Sequence, residues 1–183
     1  MRTALTAALL AVGMAAAVPA FAQNDPMVGG APMMASKTIV ENASKANNLT
    51  TLVSAVKEAG LVETLNGKGP FTVFAPTNAA FEKLPKGTVD KLMKPDMKPE
   101  LKKILTYHVV PGKLDAKELM AKAKAGGADA NLKTVEGEVL TVKMDGNKLA
   151  LIDAKGGGAM VEQADVNQSN GVVHVIDSVL MPK

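Results

Sequence analysis

Apolar residues recur at helical spacing through the first two-thirds of this 183-residue chain and alternate along the last third. Helices gathered early and strands gathered late define an α+β domain. Ile39, Val40 and Ala43 share one helical face. Leu49, Leu52, Val53 and Val56 form a second stripe, with Asn48 placed to cap it and Gly60 to stop it, and Leu61, Val62 and Leu65 add a further turn. Val89, Leu92 and Met93, then Leu101, Ile104 and Leu105 after Pro99, mark two lysine-rich amphipathic segments. Asp115 and Glu118 have the spacing of a capping box for a helix that turns Leu119 and Met120 inward and ends at Gly126-Gly127. Two strands interrupt this region. Phe71–Ala75 follows Gly69-Pro70 and ends at Pro76, where Thr77 or Asn78 caps a helix bearing Phe81; the run Tyr107–Val110 stops at Pro111-Gly112. Short alternating segments follow around Leu132, Val139–Lys143, Leu149–Leu151 and from Val161 onward. Asp145-Gly146-Asn147 is a hairpin signal. The final run, Val172–Ile176, is almost continuously β-branched and predicts a buried central strand. No internal repeat is visible.

The N-terminus is of another kind. Arg2, an apolar and small-residue run from Ala4 to Val18, Pro19 and the triplet Ala20-Phe21-Ala22 have the layout of a secretory signal peptide over residues 1–22, cleaved after Ala22. The run is short for a bilayer span and no second one long enough follows it, so an integral membrane protein is not expected. Residues 23–35, rich in Pro, Gly and Met without periodicity, read as a flexible segment leading into a domain over 36–183. Met27, Met33 and Met34 offer soft thioethers of the kind Cu(I) accepts, although spare methionines in an unstructured terminus account for them more simply. The expected location is the periplasm, the medium or the cell surface. With no cysteine in the chain, packing rather than disulfides must hold the exported domain together.

Composition removes several function classes. Arg2 is the only arginine, so the mature chain lacks the guanidinium fork that phosphate and guanine recognition favour; it also lacks tryptophan and has one tyrosine. Nucleic-acid binding is not expected. No nucleophile elbow, zinc-protease, phosphate-loop or calcium-loop motif is present, and thiol chemistry has no cysteine to use. His108 and His174 each lie inside a β-branched run, where a hydrogen-bonded structural histidine is the plain reading and a shared metal or general base the sharper one. No catalytic residue, cofactor or metal is nominated, and the chain is expected to bind rather than to catalyse.

Three stretches carry a resemblance. Phe71-Thr72-Val73-Phe74-Ala75-Pro76-Thr77-Asn78-Ala79-Ala80-Phe81 resembles the first conserved box of the fasciclin (FAS1) family. Tyr107-His108-Val109-Val110-Pro111-Gly112 resembles its central Tyr-His motif. Asn170-Gly171-Val172-Val173-His174-Val175-Ile176-Asp177 resembles its second box. The resemblance covers about Ser36 to Pro182. It implies a wedge of two β-sheets with a layer of short helices, and no enzymatic activity. It implies structural roles for Phe71, Thr72, Phe74, Ala75, Pro76, Thr77, Phe81, Pro111, Gly112, Asn170, Gly171, His174 and Asp177. In animal members the Tyr-His segment and an Asp-Ile pair before the second box are linked to integrin recognition. The corresponding positions here are Tyr107, His108, Asp165 and Val166, the last departing from Ile, and these are the partner-binding candidates. The function implied is adhesion, or contact with a protein or cell-surface component. The alternative is carriage of an apolar small molecule such as a carotenoid, for which Met93, Met97, Met120, Met144 and Met160 supply flexible lining.

Overall fold

The computed structural model describes residues 25–183, so the signal-peptide assignment lies outside the described residues. The first elements are β1 (Met27–Val28) and β2 (Ala31–Pro32), a two-residue hairpin turned by Gly29 and Gly30 at φ of 57° and 81°. Positive φ at both central residues gives the turn whose twist suits such a hairpin. The expectation of a flexible segment over 23–35 is therefore corrected for its described part. Val28 and Met33 are buried in the core, and the buried Asn42 amide clasps Met34, accepting from its N–H at 3.2 Å and donating to its carbonyl at 2.8 Å. Met33 turns inward while Met27 and Met34 stay exposed, so the three thioethers do not share a site.

Five short helices and one strand follow in the chain: α1 (Ile39–Ala43), α2 (Thr50–Glu58), α3 (Val62–Leu65), β3 (Phe71–Pro76), α4 (Asn78–Glu82) and α5 (Thr88–Leu92). Next come α6 (Lys98–Tyr107), β4 (Val109–Pro111) and α7 (Ala116–Ala125), and then strands β5 (Asn131–Lys133), β6 (Val139–Asp145), β7 (Lys148–Ile152), β8 (Gly158–Gln168) and β9 (Gly171–Ile176). Local chemistry fixes the helix starts. Thr77 Oγ1 accepts from Ala80 N–H, and Asp115 and Glu118 complete their reciprocal box. Asn48 does not cap α2. Asn78 does so from α4: its Oδ1 accepts from Thr51 N–H at 3.0 Å and its Nδ2 donates to Thr50 Oγ1 at 2.9 Å. The first residue of α4 thus fixes the start of α2, an arrangement that only tertiary folding creates.

The seven strands β4-β3-β9-β8-β7-β6-β5 form one ladder, parallel only between β3 and β9. β8 belongs to both halves. Its start pairs with β7 (Ala150↔Met160) and its remainder with β9, through register shifts between Val161 and Gln163 and between Gln163 and Val166. Bulges bend a strand and re-aim its side chains; here they fold the ladder into the two leaves of the expected wedge. Its far edges approach where Val135 N–H donates to Val109 O at 2.8 Å. Side-chain alternation along β3 and β9 feeds two cores. Val73, Ala75, Val173 and Val175 meet α1, α2 and α6, whereas Phe74 and Ile176 face the wedge interior with Tyr107, Leu119, Leu140, Leu151 and Leu180. Every residue of β9 is buried, as its composition predicts.

Candidate functional site

Tyr107 ends α6, His108 caps it and β4 begins at Val109, so the Tyr-His pair is the joint between helix and sheet. Tyr107 is fully buried. Its hydroxyl donates to Val139 O at 2.9 Å and accepts from Ala154 N–H at 3.0 Å, tying α6 to the start of β6 and the turn after β7. Burial pushes its phenol up to about 12. His108 is 2% exposed. Its Nδ1–H donates to Ile104 O at 2.8 Å and its Nε2 accepts from Leu180 N–H at 3.0 Å, which selects the neutral Nδ1-protonated ring. Burial lowers its pKa to about 4, against a weaker opposing pull from the Ile104 carbonyl and Asp153. The structure places both side chains of this candidate pair inside the fold. Every polar atom of the two side chains is used internally, and neither faces solvent.

Asp165 sits in the β8 bulge, exposed, at φ 58°, a left-handed conformation that Asp tolerates better than most residues. Its Oδ1 accepts from Ala116 N–H, the first amide of α7, at 2.6 Å, and its own N–H donates to His174 Nδ1 at 3.3 Å. His174 Nε2–H donates in turn to Leu114 O at 2.8 Å, and the ring stacks on Phe74 with centroids 5.6 Å apart. Burial lowers the His174 pKa as well. Of the second candidate pair, Asp165 is therefore accessible, whereas Val166 is fully buried and packs in the helix-side core. No hydrogen bond among the described residues joins this bulge to the Tyr107-His108 joint, and the four candidates do not form one site.

The motif residues around them act as ties. Thr72 Oγ1 donates to Gly112 O at 2.7 Å and accepts from Leu114 N–H at 2.9 Å, and Gly112 N–H donates to Pro70 O, fixing the turn after Pro111. Asn170 accepts from Ile39 N–H and donates to Leu65 O and Gly67 O, joining α1 and α3 to the sheet. Asp177 Oδ1 accepts from Met160 N–H at 2.8 Å while Oδ2 pairs with Lys83 at 3.1 Å. Phe71 and Gly171 pair across β3 and β9 in register, Ala75 is core, and Phe81 seats α4. Asn42 escapes the sequence reading, and Asn78 enters it only as an alternative cap of its own helix, not of α2. Each is a single polar residue whose partners are distant in the chain, and no spacing signals that.

Two features bear on the alternative functions. An apolar cavity under α1 and α2, lined by Leu49, Leu52, Val56, Leu105, His108 and Val173 among others, has a volume of about 30 Å³. Sites for small molecules run to about 300–1,000 Å³, so this space holds no extended apolar ligand in the observed conformation. Both ring nitrogens of each histidine are engaged with backbone groups, which leaves neither free to ligate a metal or to serve as a base.

The fasciclin domain family matches residues 47–182, and the chain belongs to that family. It is 46% identical over 160 residues to Protein sll1483 of Synechocystis sp., covering 87% of this chain and 82% of that protein. It is 40% identical over 166 residues to the cell surface glycolipoprotein MPB83 of Mycobacterium bovis, covering 88% and 68% of the two chains. It is 39% identical over 145 residues to the transforming growth factor-beta-induced protein ig-h3 of Sus scrofa, covering 79% of this chain and 19% of that one. Among solved structures, the FAS1 domain pair of the insect cell adhesion molecule fasciclin I superposes with a TM-score of 0.71 at 22% identity, over 79% of this chain and 51% of the pair, so this chain spans about half of it. That likeness establishes the fold. No helix among the described residues is long and apolar enough to cross a membrane.

Proposed function

We propose that this chain is an exported, non-enzymatic contact module. Its rigid wedge presents an outer surface to a protein or cell-surface component in the periplasm or beyond the cell. The carrying observation is membership of the fasciclin family across residues 47–182, together with 40% identity to a cell-surface glycolipoprotein over 88% of the chain. The chemistry of the interior agrees with that role, because the two histidines and the tyrosine spend their polar atoms on the scaffold. Of the motif-derived candidates, Asp165 in its exposed bulge is the one able to meet a partner without unfolding; Tyr107, His108 and Val166 position the surface from behind. The signal peptide over 1–22 delivers the chain to that setting.

A strain deleted for the gene, compared with wild type and with an Asp165→Asn strain, tests the proposal in a surface-attachment and aggregation assay. Reduced attachment in the deletion strain is expected, restored by the wild-type gene. Unchanged attachment and aggregation in the deletion strain contradict it.

A further inference from the structure

The register of the first leaf brings three turns together at one end. Phe71 of β3 lies opposite Pro111 of β4 on one side and Gly171 of β9 on the other. The turn before β3, the turn after β4 and the β8–β9 turn therefore emerge side by side. They enclose an open groove of about 410 Å³ lined by Lys68, Gly69, Pro70, Lys113 and residues 168–171. A Cβ on Gly69 would stand 2.1 Å from Asn170 O, so the two turns approach this closely only because that position carries no side chain.

The polar character of the groove is one-sided. Lys68 and Lys113 reach it from different turns, both exposed, and no acidic residue lines it. Among the described residues, ion pairs involve Lys37, Lys83 and Lys103, and neither groove lysine has a carboxylate partner. Ser169, exposed at the rim, makes no side-chain hydrogen bond among the described residues and adds a free hydroxyl. Two unpaired cations flanking a concavity raise the local potential and repel each other, and an anion between them relieves both effects.

We propose that this groove binds the oxyanion of a small acidic ligand, a carboxylate, sulfate or phosphate ester, held between the Lys68 and Lys113 ammonium groups. The anion is supplied either free in solution or as one unit of an acidic polymer. The volume falls within the range of small-molecule sites. Phosphate selectivity of the arginine kind is not expected, since lysine is a compact point charge and reads charge rather than shape. The site extends the contact reading by naming a class of ligand, and its binding test in solution succeeds or fails independently of any attachment phenotype.

The test is titration of the purified protein with inorganic sulfate, with sulfated dextran oligosaccharide and with neutral dextran, followed by amide chemical shifts. Shifts at Ser169, Asn170 and Gly171 are expected with one or both sulfated probes and none with neutral dextran. Response to sulfate alone identifies a free-anion site, and response to the oligosaccharide alone identifies a polymer site. Lys68→Gln/Lys113→Gln should weaken the responding probe at least about tenfold. Lys91→Gln/Lys94→Gln removes the same charge from an exposed face elsewhere and should weaken it less than about twofold. All four lysines are exposed, so both double variants should keep the wild-type amide dispersion. Absence of shifts with both sulfated probes, or equal weakening by the two double variants, overturns the proposal.

Discussion

His108 makes the stability of this fold sensitive to mild acid. Unfolded, its imidazole titrates near the ordinary histidine value of 6.5; in the fold, burial lowers that to about 4. Between those values the unfolded chain holds a proton that the folded chain refuses, so stability falls as pH falls. The contribution is intact above 6.5 and is lost as pH drops through about 4. At about 1.4 kcal/mol per unit, the full window is worth about 3 kcal/mol, of which about 2 kcal/mol is gone by pH 5. His174, lowered by burial too, acts in the same direction. The carboxylates held below their usual values, Glu138 beside the Lys183 amide, Glu41 beside Thr38 at the start of α1, and Asp177 beside Met160 N–H and Lys83, lose their contributions at lower pH, so the range from 7 to 5 isolates the histidines. Urea midpoints across this range measure the slope, and a thermal scan should fall by about 4–8 °C for 2 kcal/mol at this chain length. His108→Gln can restore a donor to Ile104 O and an acceptor for Leu180 N–H without titrating. It should begin less stable at pH 7 yet lose about 2 kcal/mol less on going to pH 5. Equal slopes for wild type and variant would refute the reasoning.

Three further outcomes follow from the same geometry. Tyr107 is the only tyrosine in the chain, so phenolate absorbance reports it alone; the midpoint should lie near 12 in the folded protein and near 10 in urea, and a folded midpoint near 10 means that its hydroxyl is not buried. Since the folded pKa is the higher one, stability should also decline as pH rises from 10 to 12. Asp165→Asn, which tolerates positive φ and keeps an acceptor for Ala116 N–H, should change stability by less than about 0.5 kcal/mol, whereas Asp165→Ala should cost about 1–3 kcal/mol in a urea titration. Gly171→Ala places a Cβ 2.0 Å from Phe71 O, a backbone atom that must move; circular dichroism melting should show a loss of about 3 kcal/mol or more as the β3–β9 pairing opens.

Periodicity and capping chemistry made most of the architecture legible. β9 announced itself through its β-branched run, and α4 and α7 through Thr77 and the Asp115–Glu118 box, because these signals are local. The β1–β2 hairpin did not, since two-residue strands leave no period and its Gly29-Gly30 turn reads equally as a linker until Val28 and Met33 find a core. The two leaves were expected, but their hinge was hidden. The β8 bulge depends on Asp165 meeting Ala116 and His174, contacts that are remote in sequence. For the site, resemblance pointed to Tyr107 and His108, and burial shows why such positions can matter without touching anything outside: each side chain ties the end of α6 to a distant segment. The Lys68–Lys113 groove had no signature, because its walls come from three turns that only the sheet register aligns.

Amide-hydrogen exchange of the protein, free and mixed with envelope fragments of its host, asks most directly whether the exterior of an unaltered fold makes the contact. Slower exchange confined to exposed turns and helix faces, with residues 104–110 unchanged, is the predicted result. Protection nowhere, or altered exchange within residues 104–110, would contradict the account.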